Sequence, residues 1–184
     1  YYTDVAGVPA AFVGTLFLVV RMIDALSDPV LGMIVDNTRS RFGKFRPWIV
    51  LGTVINSLAL LALFSAHLFS GSQLLLFVTV TYIVWGLTYT IMDIPFWSMV
   101  PALSARREER ERLVIWPRLF ASIAWTIVGT YGLASIAYLG KGDEGTGFLL
   151  LSGLIIIAFL ASALITFTQV KERVATQVTS ERFS

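Results

Sequence analysis

Three charged residues lie inside a long apolar run near the start of the chain. Arg21, Asp24 and Asp28 follow one another at spacings of three and four residues, so they share one face of a helix. A charge near the middle of a membrane-spanning helix costs about 2.5–3.5 kcal/mol on insertion scales, and such residues face a cavity or the interior of a bundle. The pattern therefore favours an ion or transport site over an inert apolar span.

The chemistry available to this stripe is cation binding. Arg21 neutralises one carboxylate, most simply Asp24, and leaves Asp28 without a counter-charge. Pro29 lacks an N–H group and frees a carbonyl in the preceding turn, and Ser27 adds a hydroxyl. Small hard cations prefer such oxygen ligands, and without a metal cation one carboxyl should hold a proton. The alternative is a structural salt bridge with a cap at the cytoplasmic end of the helix.

A second polar stripe carries aromatic rings beside an acid. Its members are spaced by three, four, four and four residues and share a helix face: Tyr82, Trp85, Tyr89, Asp93 and Trp97. A ring next to a carboxylate suits sugar recognition, because the ring stacks on the apolar face of the sugar and the carboxylate accepts hydrogen bonds from hydroxyl groups. For Tyr82 and Trp85 alone, core packing is the simpler interpretation. An ionised Asp93 inside a membrane span costs free energy that packing alone does not explain, which favours a role in binding.

Two further observations bear on this stripe. Asp28 and Asp93 lie about 8 Å and about 9 Å from the midpoints of their predicted spans, on the cytoplasmic side, at 1.5 Å per residue. Carboxylates at similar depth on parallel helices can line one cavity. Arg118, which follows Pro117, either extends its charged end to the membrane interface or reaches inward to Asp93 or a hydroxylated ligand.

The elements that must position these residues are membrane-spanning helices. The chain of 184 residues is 56% hydrophobic and only 14% charged, with a mean hydropathy of +0.76. These values predict an all-α, polytopic membrane helix bundle in contact with a lipid bilayer. Five spans are predicted, near residues 10–35, 47–69, 74–100, 113–139 and 148–170.

Several function classes are disfavoured by the same composition. The basic residues lie in short loops between the spans, as membrane topology requires, so the pI near 9.1 does not indicate nucleic acid as a partner. The chain has no cysteine, and its one histidine, His67, falls in a loop. No nucleophile–base pair, phosphate-binding glycine loop or metal-ligand spacing is present in the sequence. We therefore expect no enzyme and no cofactor, although a membrane enzyme or scaffold is the alternative from another class.

Loop charge predicts the orientation of the spans. The four loops and the tail carry 4, 0, 4, 1 and 3 Lys or Arg residues in chain order. This alternation places the first and third loops and the Ser184 end in the cytoplasm and Tyr1 outside. If the parent protein begins in the cytoplasm, an odd number of spans, most simply one, precedes Tyr1. Residues 1–170 would then form part of an N-terminal bundle, with 171–184 as a cytoplasmic tail or the start of a central loop.

Two polar segments are predicted to lie outside the spans. The segment 104–112 alternates in charge and predicts a short solvated helix in which Glu108 pairs with Arg112. The segment 140–147, GKGDEGTG, is typical of a flexible turn. A calcium site at Asp143 and Glu144 is disfavoured.

The run DPVLGMIVDNTRSRFGKFRPW, residues 28–48, resembles the loop signature of the glycoside–pentoside–hexuronide:cation symporters, a branch of the major facilitator superfamily. Within that branch, YYTDVAGV at the start, FSAHLF at 64–69 and YTIMDIPFWSMVP at 89–101 are most similar to the melibiose permeases. The resemblance covers essentially the whole chain. It implies helices two to six of a twelve-span transporter that imports a galactoside such as melibiose with Na⁺, Li⁺ or H⁺, or, alternatively, another glycoside, a pentoside or a hexuronide.

The resemblance also implies roles for individual residues. The cation site corresponds to Asp24, Asp28 and Thr90, with Arg21 in the surrounding charge network. The sugar site corresponds to Tyr89, Asp93, Trp97 and Arg118. The cytoplasmic gate loop corresponds to Asp36, Arg39 and Arg41. The partners implied are a small sugar, a monovalent cation, the bilayer and the C-terminal half of the parent chain, which supplies the rest of the sugar site.

Two positions depart from the melibiose permeases. Ser27 and Asp36 stand where those proteins have asparagine. Ser27 adjoins the cation site, so this departure leaves open the choice among sodium, lithium and proton.

Overall fold

The structure is a computed structural model that describes residues 1–104 and 106–170. Its five α-helices are α1 (Ala10–Asn37), α2 (Arg46–Phe64), α3 (Gly71–Leu103), α4 (Arg107–Gly140) and α5 (Glu144–Gln169). Each is long and apolar enough to cross a membrane, and the described part of the chain contains no strand. The predicted all-α class and the five spans are confirmed. The tail predicted over 171–184 lies outside the described residues.

The charged segment before the fourth span is part of α4 and not a separate helix, so that prediction is wrong. The helix begins at Arg107 and continues into the apolar span, because the segment contains strong helix formers and ion pairs at helical spacing. Arg107 Nε lies 3.0 Å from Glu111 and Arg106 lies 3.5 Å from Glu109. The expected pair between Glu108 and Arg112 is not among the ion pairs of the described residues.

Helix packing leaves two of the spans with broad apolar surfaces. α2 packs against α3 and α5, α1 packs against α3, and α4 packs against α5. Leu26 on α1 and Trp125 and Leu133 on α4 are more than three-quarters exposed. Apolar patches of this extent occur where lipid or another protein segment covers them. The arrangement places α3 in contact with both α1 and α2, so the two polar stripes of the sequence lie on neighbouring helices.

The turns at the end of the bundle that carries Tyr1 are fixed by aromatic and polar contacts. The Tyr1 hydroxyl donates to the Phe64 carbonyl over 2.6 Å, and the Tyr1 ring packs against the Phe64 and Phe148 rings. His67 lies in the short 3₁₀ helix Ala66–Leu68, outside α2, which ends at Phe64 and is shorter than the span predicted over 47–69. A Cβ atom on Gly145 would lie only 2.7 Å from the His67 ring, so glycine is required where α5 begins.

Asp143 is the N-cap of α5. Its carboxylate accepts from the backbone N–H groups of Gly145 and Thr146 and from the Thr146 hydroxyl. The Thr146 hydrogen bond lowers the pKa of Asp143 from its ordinary value. These bonds satisfy two of the N–H groups that a helix leaves without partners in its first turn. The segment is therefore a turn, as predicted, that ends in a helix cap.

Candidate functional site: two acid clusters joined by α3

The charged stripe of α1 is intact in the structure. Arg21 Nη1 lies 3.6 Å from Asp24 Oδ2, which confirms the pairing that the spacing predicts. The Arg21 side chain is 83% exposed, whereas that of Asp24 is only 16% exposed. The ion pair therefore joins a surface guanidinium to a carboxylate that points into the α1–α3 interface.

Two carboxylate oxygens in this stripe are buried without a donor. Asp24 Oδ1 and Asp28 Oδ1 have no hydrogen-bond partner among the described residues. Ser27 does not supply one, because its hydroxyl donates to the Asp24 carbonyl over 3.2 Å. A buried carboxylate oxygen is costly unless a donor or a cation compensates it. The stripe therefore has the electrostatic deficit that a bound cation would fill.

The number of acids limits the kind of cation. Across residues 1–104 and 106–170, no group of three or more His, Cys, Asp or Glu side chains converges on one point. Two carboxylates, one of them paired with Arg21, leave about one uncompensated negative charge. This arrangement fits a monovalent cation or a proton better than a divalent metal.

α3 contacts the charged stripe of α1 at Gly86, a residue that the sequence analysis did not single out. A Cβ atom on Gly86 would lie 3.1 Å from Val20 Cγ1 and 3.5 Å from Asp24 Oδ1. The missing side chain brings the backbone of α3 next to Asp24. A glycine one turn before Thr90, on the same helix face, was the available signal.

Thr90 lies one turn after this close approach. Its side chain is buried, and its hydroxyl donates to the Gly86 carbonyl over 3.3 Å. The hydrogen of the hydroxyl is thus used within α3, and the oxygen lone pairs remain available as a ligand. Thr90 shares the helix face of Gly86, which is the face that meets α1.

The acid of α3, Asp93, lies three residues after Thr90. Asp93 Oδ1 accepts a hydrogen bond from Trp97 Nε1 over 3.2 Å, and the Tyr89 hydroxyl also interacts with this carboxylate. Asp28 does not line the cavity that adjoins Asp93, so the structure does not bring the two acids into one cavity. The indole of Trp97 beside the Asp93 carboxylate is the aromatic–acid combination suited to a sugar.

Arg118 contacts Trp97 and not Asp93. Its guanidinium carbon lies 5.7 Å from the centroid of the Trp97 ring, within the range of a cation–π contact. No ion pair with Asp93 occurs among the described residues. The side chain is exposed, and the choice between extension to the membrane interface and an inward position stays a prediction.

A cavity of about 290 Å³ adjoins Asp93 and Trp97. Four helices line it, including α2 and α5, which contribute no residue to the sequence-based site. Its hydroxyl-bearing lining residues outside α3 are Thr53, Ser162 and Thr166. Helix periodicity places each of these on a face but does not indicate which helices adjoin one another, so these lining residues were not predictable from the sequence.

The loop between α1 and α2 lies apart from both acid clusters. Lys44 Nζ donates to Asp36 Oδ1 over 2.9 Å, and Trp48 Nε1 donates to Thr38 over 2.9 Å. Arg41 lies over the Phe42 ring, whereas Arg39 is exposed. The loop contacts its own flanking helices and also α5, where the Phe42 ring lies 5.6 Å from the Phe167 ring, and the gate role of Asp36, Arg39 and Arg41 stays a prediction.

The chain is similar to known sugar-transport proteins and symporters. A family model described as MFS/sugar transport protein matches residues 1–183. The putative glycoside/cation symporter YagG of Escherichia coli (strain K12) is 36% identical over 148 residues, which is 80% of this chain and 32% of that protein.

Two further relatives have names that include a sugar. The isoprimeverose transporter of Lactiplantibacillus pentosus is 32% identical over 96% of this chain and 37% of its own length. The lactose permease of Lactobacillus helveticus is 34% identical over 86% of this chain and 26% of its own length. The chain thus spans about a third of the length of the curated relatives that it matches.

Proposed function

This chain belongs to the MFS/sugar transport protein family, and on that premise we propose that the protein containing it is a secondary active symporter of a galactoside such as melibiose and a monovalent cation. The observation that carries the proposal is that α3 carries residues of both proposed sites. Thr90, one turn from the Asp24 contact, and Asp93, held by Trp97, lie three residues apart on one helix.

The proposed cation ligands are Asp24, Asp28 and Thr90. The unpartnered carboxylate oxygens of the two acids support this assignment, and Arg21 offsets part of their charge. Na⁺, Li⁺ and H⁺ are all compatible with about one uncompensated charge. If H⁺ is the coupling ion, it would bind to one of these two carboxylates.

The proposed sugar ligands are Asp93, Trp97, Tyr89 and Arg118. Asp93 would accept hydrogen bonds from hydroxyl groups, and Trp97 would stack on the apolar face of the ring. The Arg118 guanidinium, already over the Trp97 ring, would donate to a hydroxyl oxygen. The remaining ligands would come from other parts of the parent protein.

Coupling would follow from the position of α3 between the two sites. A cation that neutralises Asp24 and Asp28 would hold α1 against α3 and preorganise Asp93 and Trp97 for the sugar. By linkage, the sugar then raises the affinity for the cation by the same factor. Rocking of this half against the C-terminal half would expose the sites alternately.

We further propose a cell-membrane location, which is the inner membrane in a Gram-negative organism, with Tyr1 outside and Ser184 in the cytoplasm. Loop charge supports this orientation. We propose transport rather than catalysis, with no cofactor besides the coupling cation, because relatives carry the names of symporters and transporters.

A second substrate class is kept because of one relative. The relative from Lactiplantibacillus pentosus is named an isoprimeverose transporter rather than a galactoside transporter, so another glycoside, a pentoside or a hexuronide is the alternative cargo. Competition for sugar binding by the full-length parent separates the two. Displacement of a bound probe by melibiose supports the galactoside, whereas displacement by pentosides alone overturns that choice.

A further inference from the structure

The face of α3 that points away from α1 is held by a buried amide on α2. Asn56 is 3% exposed, and its Nδ2 group donates to the Trp85 carbonyl over 2.9 Å and to Thr88 Oγ1 over 3.0 Å. Both acceptors lie on α3, within one turn before Tyr89. A buried amide with two partners on one helix fixes the distance and the rotation of that helix.

One turn earlier on α2, a glycine allows backbone contact with α3. A Cβ atom on Gly52 would lie 2.7 Å from Met92 N and 2.8 Å from Met92 Cβ, closer than real Cβ atoms approach. Any side chain at this position would push α3 away at the residue that precedes Asp93. Gly52 and Asn56 thus contact α3 on both sides of the segment 89–91.

The α2 contacts control where the functional face of α3 points. At about 100° per residue, Trp85, Thr88 and Met92 lie about 80–140° around the helix from Asp93, so α2 contacts α3 beside the stripe that contains Asp93. A rotation or shift of α3 at its contacts with α2 therefore also moves Thr90 and Asp93. α3 is held between α2 on one side and α1, through Gly86, on the other.

The backbone of α3 depends on this support in the same region. The Trp85 carbonyl also accepts from Thr88 Oγ1 over 3.1 Å, and Pro95 has no N–H group to donate to the carbonyl of Ile91. Helices bend where side chains compete for backbone carbonyls or where proline removes a bond. The segment between these points carries Tyr89, Thr90 and Asp93.

We propose that Gly52 and Asn56 are positioning residues that set the rotation and depth of α3 and thereby the strength of coupling between cation and sugar. The inference rests on the proposed function. Neither residue contacts the acids; both act through the backbone of α3. The same contacts explain why α2, which carries none of the sequence-predicted ligands, adjoins the site.

The test uses the full-length parent and measures sugar affinity with and without sodium, with melibiose as the probe. Asn56→Leu keeps similar volume and removes both hydrogen bonds, and Gly52→Ala adds the clashing Cβ atom. Each is expected to lower the sodium-induced gain in sugar affinity by about fivefold, within the usual range of coupling factors. A purely structural role would lower the amount of folded protein and leave this ratio unchanged.

Matched controls are available on α2 and α5. Ser57→Ala removes a hydroxyl that is 3% exposed but donates only within α2, to the Thr53 carbonyl over 2.7 Å. Gly153→Ala adds a Cβ atom where no atom lies within 4 Å. Both controls should show the same sodium-induced gain in sugar affinity as the wild type. Equal ratios in the two test variants and the two controls overturn the proposal.

A second readout does not depend on transport. Val20→Cys with Gly86→Cys, in a parent without other cysteines, forms a disulfide whose rate reports how α3 meets α1. Asn56→Leu should slow this reaction and Ser57→Ala should not. If the wild type shows no sodium effect on sugar affinity, the proposed function fails and the cross-linking rate alone decides the positioning claim. An unchanged rate in Asn56→Leu refutes that claim.

Discussion

Replacing Asp93 with asparagine is expected to weaken sugar binding by about tenfold, and at most about 150-fold. One carboxylate oxygen accepts from Trp97 Nε1 over 3.2 Å, and the remaining lone pairs of the carboxylate can accept from a sugar hydroxyl. A hydrogen bond to a charged group contributes about 1.5–3 kcal/mol, and each 1.4 kcal/mol changes affinity about tenfold. Asp93 is only partly buried, which favours the lower end of that range.

The assay is equilibrium binding of melibiose to the full-length parent at fixed sodium, normalised to folded protein. Trp97→Phe is the matched comparison, because it removes the indole N–H and keeps an aromatic ring for stacking. It should weaken binding less than Asp93→Asn does, since Asp93 then keeps its charge. An unchanged affinity in Asp93→Asn would show that the acid serves the fold alone and would refute this reasoning.

Three other perturbations test separate parts of the site and the fold. Asp28→Asn should remove the sodium-induced gain in sugar affinity, a factor of about 5–150 for typical couplings, while sugar still binds; a preserved gain refutes the cation role. Gly86→Ala should reduce the same gain more than Gly129→Ala, because only the first Cβ atom meets α1; equal effects contradict the close approach. Asp143→Ala should lower the thermal midpoint at neutral pH, with a deficit that disappears as the pH falls through the depressed pKa of Asp143, below the ordinary value of about 3.9. A pH-independent deficit would show that the charged cap does not act.

The sequence was sufficient to predict the helices and the stripes. Long apolar runs give the spans, and helical spacing brings Arg21 to Asp24 and Trp97 to Asp93, because these contacts form within single helices. The start of α4 was predicted wrongly for a related reason. A charged segment is typical of a solvated helix, but charge alone does not show whether that helix continues into the span.

Contacts between helices were not predictable in the same way. Gly52 against Met92 and Asn56 against Trp85 depend on which faces of α2 and α3 meet, and the periodicity of one helix carries no information about its neighbour. The contact of Arg118 with Trp97 was not predictable for the same reason. Its position over Trp97 follows from the packing of α4 near α3.

The central claim is that one helix, α3, joins a cation site to a sugar site. The most direct measurement is melibiose affinity of the full-length parent as a function of sodium and of lithium, at constant ionic strength with potassium as the replacement ion. The account predicts that sodium or lithium raises the affinity and that Asp28→Asn abolishes this rise. Sugar binding that is identical in all three salts and at all pH values would contradict it.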